Sequence, residues 1–217
     1  MENNIEILKS KLNISLTQTQ EEKFKAYAEC FLKKNEKLNL ISKNDEKVLF
    51  EKHIFDSLAI NLFFNKKNMS ALNGASLLDI GTGGGFPSIP IALLHPELKV
   101  VALDSIRKKI NALEEIKTEL DIKNLYPMCQ RAENIKEKFD YITSRAVAPV
   151  DTILKYAAPL LNKDAFFVAY KSKKALEELK DAKKTMTRFK MEVFDVLEYQ
   201  LPLEEPYERN LIIFKFK

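Results

Sequence analysis

Residues 77–90 read LLDIGTGGGFPSIP, and no other stretch limits the fold of this chain as tightly. An apolar run suited to a buried strand ends at Ile80. Three of the chain's five glycines then stand together at Gly83–Gly85, with Gly81 one residue before them. Glycine reaches positive φ and lets a ligand lie against bare backbone, because no Cβ intrudes. Phe86 and Pro87 are expected to begin a helix, where proline suits a first turn that needs no N–H from it. The free N–H groups at that helix end would suit a carboxylate or phosphate. In an open parallel sheet ligands bind beyond the carboxyl ends of the strands, and this turn occupies such a rim.

From Ser76 onward short apolar runs alternate with charged helical patterns. SLLDI is followed by FPSIPIALLH, KVVALD by IRKKINALEEIKTELD, and then come LYPMC, FDYITS, VDTILKYAAPLL and AFFVAY. A lysine-rich helix is expected from Lys173 to Arg188, then two strands, Lys190 to Tyr199 and Arg209 to Phe216, joined by a proline-containing loop. Alternation of strand and helix predicts an α/β fold with a mostly parallel sheet covered on both faces. The last two strands, with no helix between them, predict an antiparallel hairpin at one edge. N-terminal to this, Gln20–Leu40 and Asp45–Phe64 carry apolar residues at helical spacing, and the polar stretch NKKNMSALNG (65–74) reads as a joint. The expected organisation is a helical N-terminal extension over residues 1–70 and a ligand-binding domain over 71–217.

Composition narrows the class without fixing it. The 217 residues are 46% hydrophobic and 30% charged, which fits a globular protein of one domain, or of one domain with an appendage. Lys and Arg number 35 against 31 Asp and Glu, a surplus of +4 that permits a polyanionic partner and does not require one. Cys30 and Cys129 form no disulfide framework and have no metal-ligand neighbours, so no metal site is expected. The opening MENNIEILKSKLN lacks the apolar core of a signal peptide, and no apolar run nears the ~20 residues of a membrane span. A cytoplasmic monomer with no membrane association is the expectation.

Spacing discriminates among ligands for the glycine turn. No lysine follows the glycines as in a P-loop, and the dinucleotide pattern G-x-G-x-x-G would need glycine at Phe86. The pattern present is G-x-G-x-G, at Gly81, Gly83 and Gly85. Asp79 lies two residues before it, and Asp104 closes the next strand, 21 residues beyond Gly83 (104 − 83). An acid about 20 residues on is where nucleotide-binding α/β units meet ribose hydroxyls. S-adenosylmethionine has a ribose, a cationic amine and a carboxylate, and it lacks a phosphate. Each feature alone has a plainer explanation: a tightly packed turn, a solvated strand end at Asp79, a helix N-cap at Asp104 with Ser105 competing for it. Their order and intervals together favour a nucleoside pocket.

The stretch LLDIGTGGGFPSIPIALLHPELKVVALDSIRKKINAL resembles the bacterial small-subunit ribosomal RNA guanine-N7 methyltransferases, the glucose-inhibited division protein B family. Asn39-Leu40-Ile41-Ser42 and Lys52-His53-Ile54-Phe55-Asp56-Ser57 resemble its paired N-terminal motifs. Arg131-Ala132-Glu133, Ser144-Arg145-Ala146, Lys171 and Arg209 fall where the family carries basic and adenine-side residues. The resemblance runs from about Asn35 to the end. Ser88 and Ser172 stand where the family has glycine, and Lys52 where it has arginine.

The resemblance implies a class I methyltransferase (Rossmann-like) fold, S-adenosylmethionine as cofactor and small-subunit ribosomal RNA, free or in an assembly particle, as partner. Gly81, Gly83, Gly85 and Phe86 would pass under the methionine part, with Asp79 near its ammonium. Asp104 and Ser105 would take the ribose, and Ala132 and Glu133 the adenine. Arg131, Arg145, Lys171 and Arg209 would face the RNA. Arg145, which follows the strand aimed at the methyl, would contact both cofactor and target base as the catalytic residue. Guanine N7 bears a lone pair and no proton, so no general base is required. His53 is then expected to orient a neighbour and His95 to cap a helix. Two other readings stay open: a nicotinamide-dependent dehydrogenase using Tyr170 and Lys174, and a non-catalytic ribosome-associated module that keeps a nucleoside pocket.

Overall fold

The computed structural model describes residues 2–67, 72–205 and 207–217. Its strands are β1 (Ser76–Ile80), β2 (Lys99–Asp104), β3 (Leu125–Cys129), β4 (Phe139–Arg145), β5 (Leu161–Ser172), β6 (Met191–Leu201) and β7 (Tyr207–Phe216). They form one 7-stranded sheet in the order β3-β2-β1-β4-β5-β7-β6. Strands β1 to β5 pair in parallel, whereas β7 is antiparallel to both β5 and β6. The expected hairpin is therefore present, but the last strand sits inside it and β6 forms the edge. Burial explains the order: Leu211–Phe214 of β7 are fully buried, while β6 leaves Phe194 40% exposed.

Chain direction through the sheet reverses between β1 and β4. β2 and β3 are laid down on one side of β1, β4 and β5 on the other, which opens a crevice at the carboxyl ends of β1 and β4. The two-residue period of the strands divides the core. Leu77, Val100 and Tyr141 face one side, and Leu78, Val101 and Ile142 face the other.

On the first side lie α1 (Glu2–Leu12), α2 (Gln18–Leu38), a π-helical turn (Phe50–Ile54), α4 (Phe55–Leu58) and α5 (Asn61–Lys66), together with α6 (Ser88–Leu94) and α7 (Arg107–Glu119). The short α3 (Lys43–Glu46) buries no residue. Helices α8 (Val150–Ala157), α9 (Ala175–Asp181) and α10 (Lys183–Arg188) cover the second side. The single helix expected from Lys173 is thus α9 and α10, divided at the buried Ala182. The long pattern from Asp45 is broken too, and between α4 and α5 the Asn61 side chain donates to Leu58 O at 3.1 Å. Of the expected joint, residues 68–71 lie outside the described residues; so does Pro206 of the final loop.

The N-terminal helices share one apolar cluster with the sheet: Phe24, Tyr27 and Phe31 of α2 belong with Leu77 and Val100. Burying each aromatic ring contributes about 1.5–3 kcal/mol relative to exposure. Helix α2 starts with a capping box in which Thr17 Oγ1 accepts from Gln20 N–H and Gln20 Oε1 accepts from Thr17 N–H. At its other end buried Asn35 takes the Ile41 N–H on Oδ1 (2.8 Å) and donates to Ile41 O (3.2 Å) and Glu46 (2.7 Å). Asn35 thereby folds the Asn39–Ser42 segment against the glycine turn, where a Cβ on Gly84 would stand 3.3 Å from Leu40 Cβ.

Candidate functional site

The turn after β1 is built from the backbone outward. Gly81 and Thr82 both donate their N–H groups to Leu103 O, at 2.8 and 2.9 Å, which ties the turn to the end of β2. Gly81 (φ 74), Gly83 (φ 58) and Gly85 (φ 92) all lie in the left-handed region. They serve different ends. A Cβ on Gly85 would stand 2.5 Å from Ile89 Cδ1, and one on Gly81 would overlap the Val147 side chain. A Cβ on Gly83 would meet only Gly81 O at 3.9 Å and Lys109 Nζ at 4.0 Å, ordinary van der Waals contact, so no tight packing accounts for this glycine. Asp104 locks the arrangement: Oδ2 accepts the Gly83 N–H at 3.0 Å and Oδ1 accepts the Ile106 N–H at 2.9 Å.

Above this rim a cavity of about 340 Å³ lies between Asp104, Ser105 and Gln130–Glu133 on one side and Gly81, Ala146 and Val147 on the other. The β3–β4 connection borders it with a 3-10 turn, Ala132–Asn134, whose first two residues line the cavity. A second cavity, about 430 Å³, lies beyond Ala146 and is lined by His53, Asp56, Arg145, Tyr207 and Arg209 among others. Ala146 borders both cavities and holds φ 56, a left-handed conformation that costs a non-glycine residue about 1–2 kcal/mol. The segment after β4 is pinned by Lys171 Nζ, which donates to Ala148 O and to Glu178 Oε2, each at 2.7 Å.

Asp56, only 2% exposed, organises the second cavity. Its Oδ1 accepts from Tyr199 Oη (2.5 Å) and Arg209 Nε (3.1 Å), and its Oδ2 accepts from Arg145 Nη1 (3.0 Å) and Arg209 Nη2 (3.1 Å). Burial by itself would raise the Asp56 carboxyl, but the guanidiniums of Arg209 and Arg145 and the Tyr199 hydroxyl outweigh it and hold it below the usual carboxylate range. Arg145 Nη2 donates to His53 Nδ1 at 2.8 Å, and its guanidinium lies over the Phe86 ring. Burial first, and Arg145 next, lower His53 to about 4, so at neutral pH it is an uncharged acceptor for that arginine.

Several expected placements are corrected by this geometry. Phe86 is 3% exposed, packs against Phe31, His53 and Tyr27 and does not line the first cavity; Gly85 serves helix packing. The helix begins at Ser88, after Pro87, and the Ile89 and Ile91 N–H groups are taken by Gly85 O and Pro87 O, so these two are not free for an anion. Asp79 is fully buried under the turn and lines neither cavity. Arg145 lines the second cavity and not the first. Arg131 is exposed on the first. The Lys171 ammonium is spent on Ala148 and Glu178, and Arg209 is a buried partner of Asp56. Tyr170, with its hydroxyl on Ser57 O at 2.7 Å, is 2% exposed and unavailable for hydride chemistry with Lys174.

Gly81, Asp104, Ser105, Ala132 and Glu133 meet at the first cavity, with Gly83 tied to it through Asp104. His53 orients Arg145. His95 ends α6, with its ring between Asn61 (2.9 Å) and Glu97 (3.2 Å). The Ser88 hydroxyl lies 2.5 Å from Thr82 Oγ1, so the turn accommodates serine where the resembled family has glycine. Cys30 and Cys129 are both free. Sequence reasoning missed Asp56, Tyr199 and Tyr207. Asp56 lay within a quoted motif, but nothing near it in sequence hinted at arginine partners. Among the described residues no helix is long and apolar enough to cross a membrane.

Comparison with known proteins agrees with this architecture. The TYW2 structure from M. jannaschii, in complex with AdoMet, superposes with a TM-score of 0.53 at 15% identity, over 71% of this chain and 76% of that one. The ribosomal protein L11 methylase of Lactobacillus delbrueckii subsp. bulgaricus gives 0.55 at 16% identity, over 75% and 80%. Both likenesses are of fold. Sequence relatives are nearer: the ribosomal RNA small subunit methyltransferases G of Desulfitobacterium hafniense (strain Y51) and Lysinibacillus sphaericus (strain C3-41) are 37% and 38% identical. These alignments take in 96% and 97% of this chain and 87% and 88% of the relatives. The family description GidB, rRNA small subunit methyltransferase G, matches residues 20–211, a span that takes in nearly all of α2, the Asp56 cluster, the glycine turn and the first half of β7. With both cavities and their shared border inside that span, the chain belongs to the rRNA small subunit methyltransferase G family.

Proposed function

We propose that this chain methylates the position-7 nitrogen of a guanine in small-subunit ribosomal RNA, in the cytoplasm, with S-adenosylmethionine as methyl donor. The observation that carries the reading is the pair of cavities meeting at Ala146 on the rim where the sheet changes direction. The first fits a nucleoside. Asp104 has a carboxylate for two ribose hydroxyls: each oxygen accepts one backbone N–H bond, and the Lys109 ammonium stands 3.8 Å from Oδ2, beyond hydrogen-bond reach, so each oxygen keeps a lone pair. The loose surroundings of Gly83 suit close approach to the turn, and the Ala132–Glu133 backbone suits an adenine edge. S-adenosylmethionine supplies a methyl group on a sulfonium centre.

The chain's own residues then position the acceptor. The second cavity suits one unstacked base, with Tyr207, 49% exposed, as a stacking face. Guanine offers O6 and N7 as acceptors on one edge. A donor on N7 would occupy the lone pair that must attack, so only O6 is to be hydrogen-bonded. Asp56, His53 and Lys52 O engage three of the N–H groups of Arg145, which limits its approach to N7. Neutral His53 and ionised Asp56 act as orienting groups, and no proton is transferred. Alignment of nitrogen, methyl and sulfur accounts for the rate gain.

Mapping 7-methylguanosine in small-subunit ribosomal RNA from cells with and without the chain tests the reading. A single guanine that loses its methyl in the depleted cells is expected. No change in any ribosomal guanine, alongside normal S-adenosylhomocysteine binding by the purified protein, would favour a non-catalytic module.

A further inference from the structure

Asp56 is the only carboxylate among the described residues lining the second cavity, and both of that cavity's arginines end on it. The nearby Lys52 is paired with Asp45 at 2.6 Å, and His53 takes a hydrogen bond from Arg145 on Nδ1. Arg145, Arg209 and Asp56 therefore form a unit with one surplus positive charge, largely shielded from water: their side chains are 12%, 15% and 3% exposed. Tyr199 contributes a hydroxyl hydrogen bond and no charge.

We propose that Asp56 is a positioning residue for the acceptor guanine, whose carboxylate turns both arginines away from N7 and offsets the cation that methylation creates. The inference rests on the guanine-N7 reading above. In that reaction the N7 lone pair becomes the new N–CH₃ bond, and sulfur keeps the electron pair of the broken S–CH₃ bond. No proton moves. One positive charge passes from sulfur to the purine ring, from the first cavity into the second. The ring enters neutral and leaves cationic beside two guanidiniums. At low dielectric their repulsion would oppose the transfer. A carboxylate bonded to both guanidiniums cancels one of those charges and fixes which N–H groups face away from the base.

The test compares Asp56→Asn with the double variant Asp56→Asn/Arg209→Gln, which restores the wild-type charge of the unit. Rates on a small-subunit ribosomal RNA fragment are expressed per S-adenosylhomocysteine site counted by calorimetry, so that unfolded protein is excluded. Asp56→Asn is expected to lower kcat by about 30-fold, with KM for RNA moving by less than about threefold. The double variant is expected to recover about tenfold of that loss. A purely structural role predicts the reverse, because the second substitution would add further damage. A kcat per site within about threefold of wild type, or a double variant no faster than the single, overturns the proposal.

Should Asp56→Asn fail to bind S-adenosylhomocysteine, the wild-type protein still decides. Saturated with S-adenosylhomocysteine, it is titrated with GMP and with 7-methyl-GMP. Affinities within about threefold of each other support an offset cation, and 7-methyl-GMP weaker by more than about tenfold overturns it. Failure of the wild-type protein to methylate RNA at all would instead count against the guanine-N7 reading, a separate outcome.

Discussion

Asp79→Asn should stabilise the protein at neutral pH while weakening its hold on a cationic cofactor. Asp79 is fully buried in β1. Its Oδ1 accepts from Thr143 Oγ1 at 3.0 Å, and its Oδ2 has no hydrogen-bond partner among the described residues. Burial pushes its carboxyl up from 3.8 to about 6, against the opposing pull of the Thr82 and Thr143 hydroxyls. Because the folded state holds this proton more tightly than the unfolded chain does, the group's stabilising contribution is complete below pH ~4 and is lost as pH rises through about 6. Across that interval the loss amounts to about 3 kcal/mol at pH 7. Asparagine removes the charge and keeps the acceptor for Thr143. Allowing about 1 kcal/mol for an imperfectly bonded amide, the variant gains about 2 kcal/mol, or about 4–8 °C in Tm.

Urea unfolding followed by far-ultraviolet circular dichroism, in wild type and variant across pH 4.5 to 8, measures this directly. The gain should shrink to near zero by about pH 4.5, where the wild-type carboxyl is largely protonated. Calorimetry at pH 7 should show S-adenosylmethionine bound about tenfold more weakly, since a negative charge beneath its site has gone. A variant no more stable than wild type at pH 7, or a difference independent of pH, would refute the burial argument.

Further outcomes follow from the same geometry. Gly83→Val places a β-branched residue at φ 58, where no neighbour lies nearer than 3.9 Å to its Cβ, and should abolish S-adenosylhomocysteine binding in calorimetry while the circular dichroism spectrum is retained. Tyr207→Ala should raise KM for RNA about tenfold with little change in kcat, and Tyr207→Phe should behave as wild type, as expected of a stacking face; equal damage from both would argue against stacking. Lys171→Met should loosen the segment after β4 and cost about 1–3 kcal/mol in urea unfolding. The slope of log binding constant against log salt for RNA should stay unchanged; a decrease of about 0.7–0.9 would mean that Lys171 meets a phosphate after all.

Sequence alone determined what is local. The strand SLLDI, the glycine turn and the strand KVVALD with Asp104 at its end lie within 29 positions (76 to 104), and each is specified by neighbours along the chain. Alternation of apolar runs with helical periods fixed the sheet class for the same reason, since strand and helix periods are properties of consecutive residues. Tertiary structure alone decided which charges meet. Arg145 bonds Asp56 across 89 positions and His53 across 92, while Arg209 reaches Asp56 across 153. From sequence these were separate basic residues, each as suited to solvent or phosphate as to a partner. Phe86 and Lys171 were misplaced for a related reason: side-chain direction at the end of an element depends on what packs against it. A two-residue or 3.6-residue period constrains the near neighbours of a residue, whereas a buried carboxylate selects its cations through space, once the sheet and the N-terminal helices have closed around it.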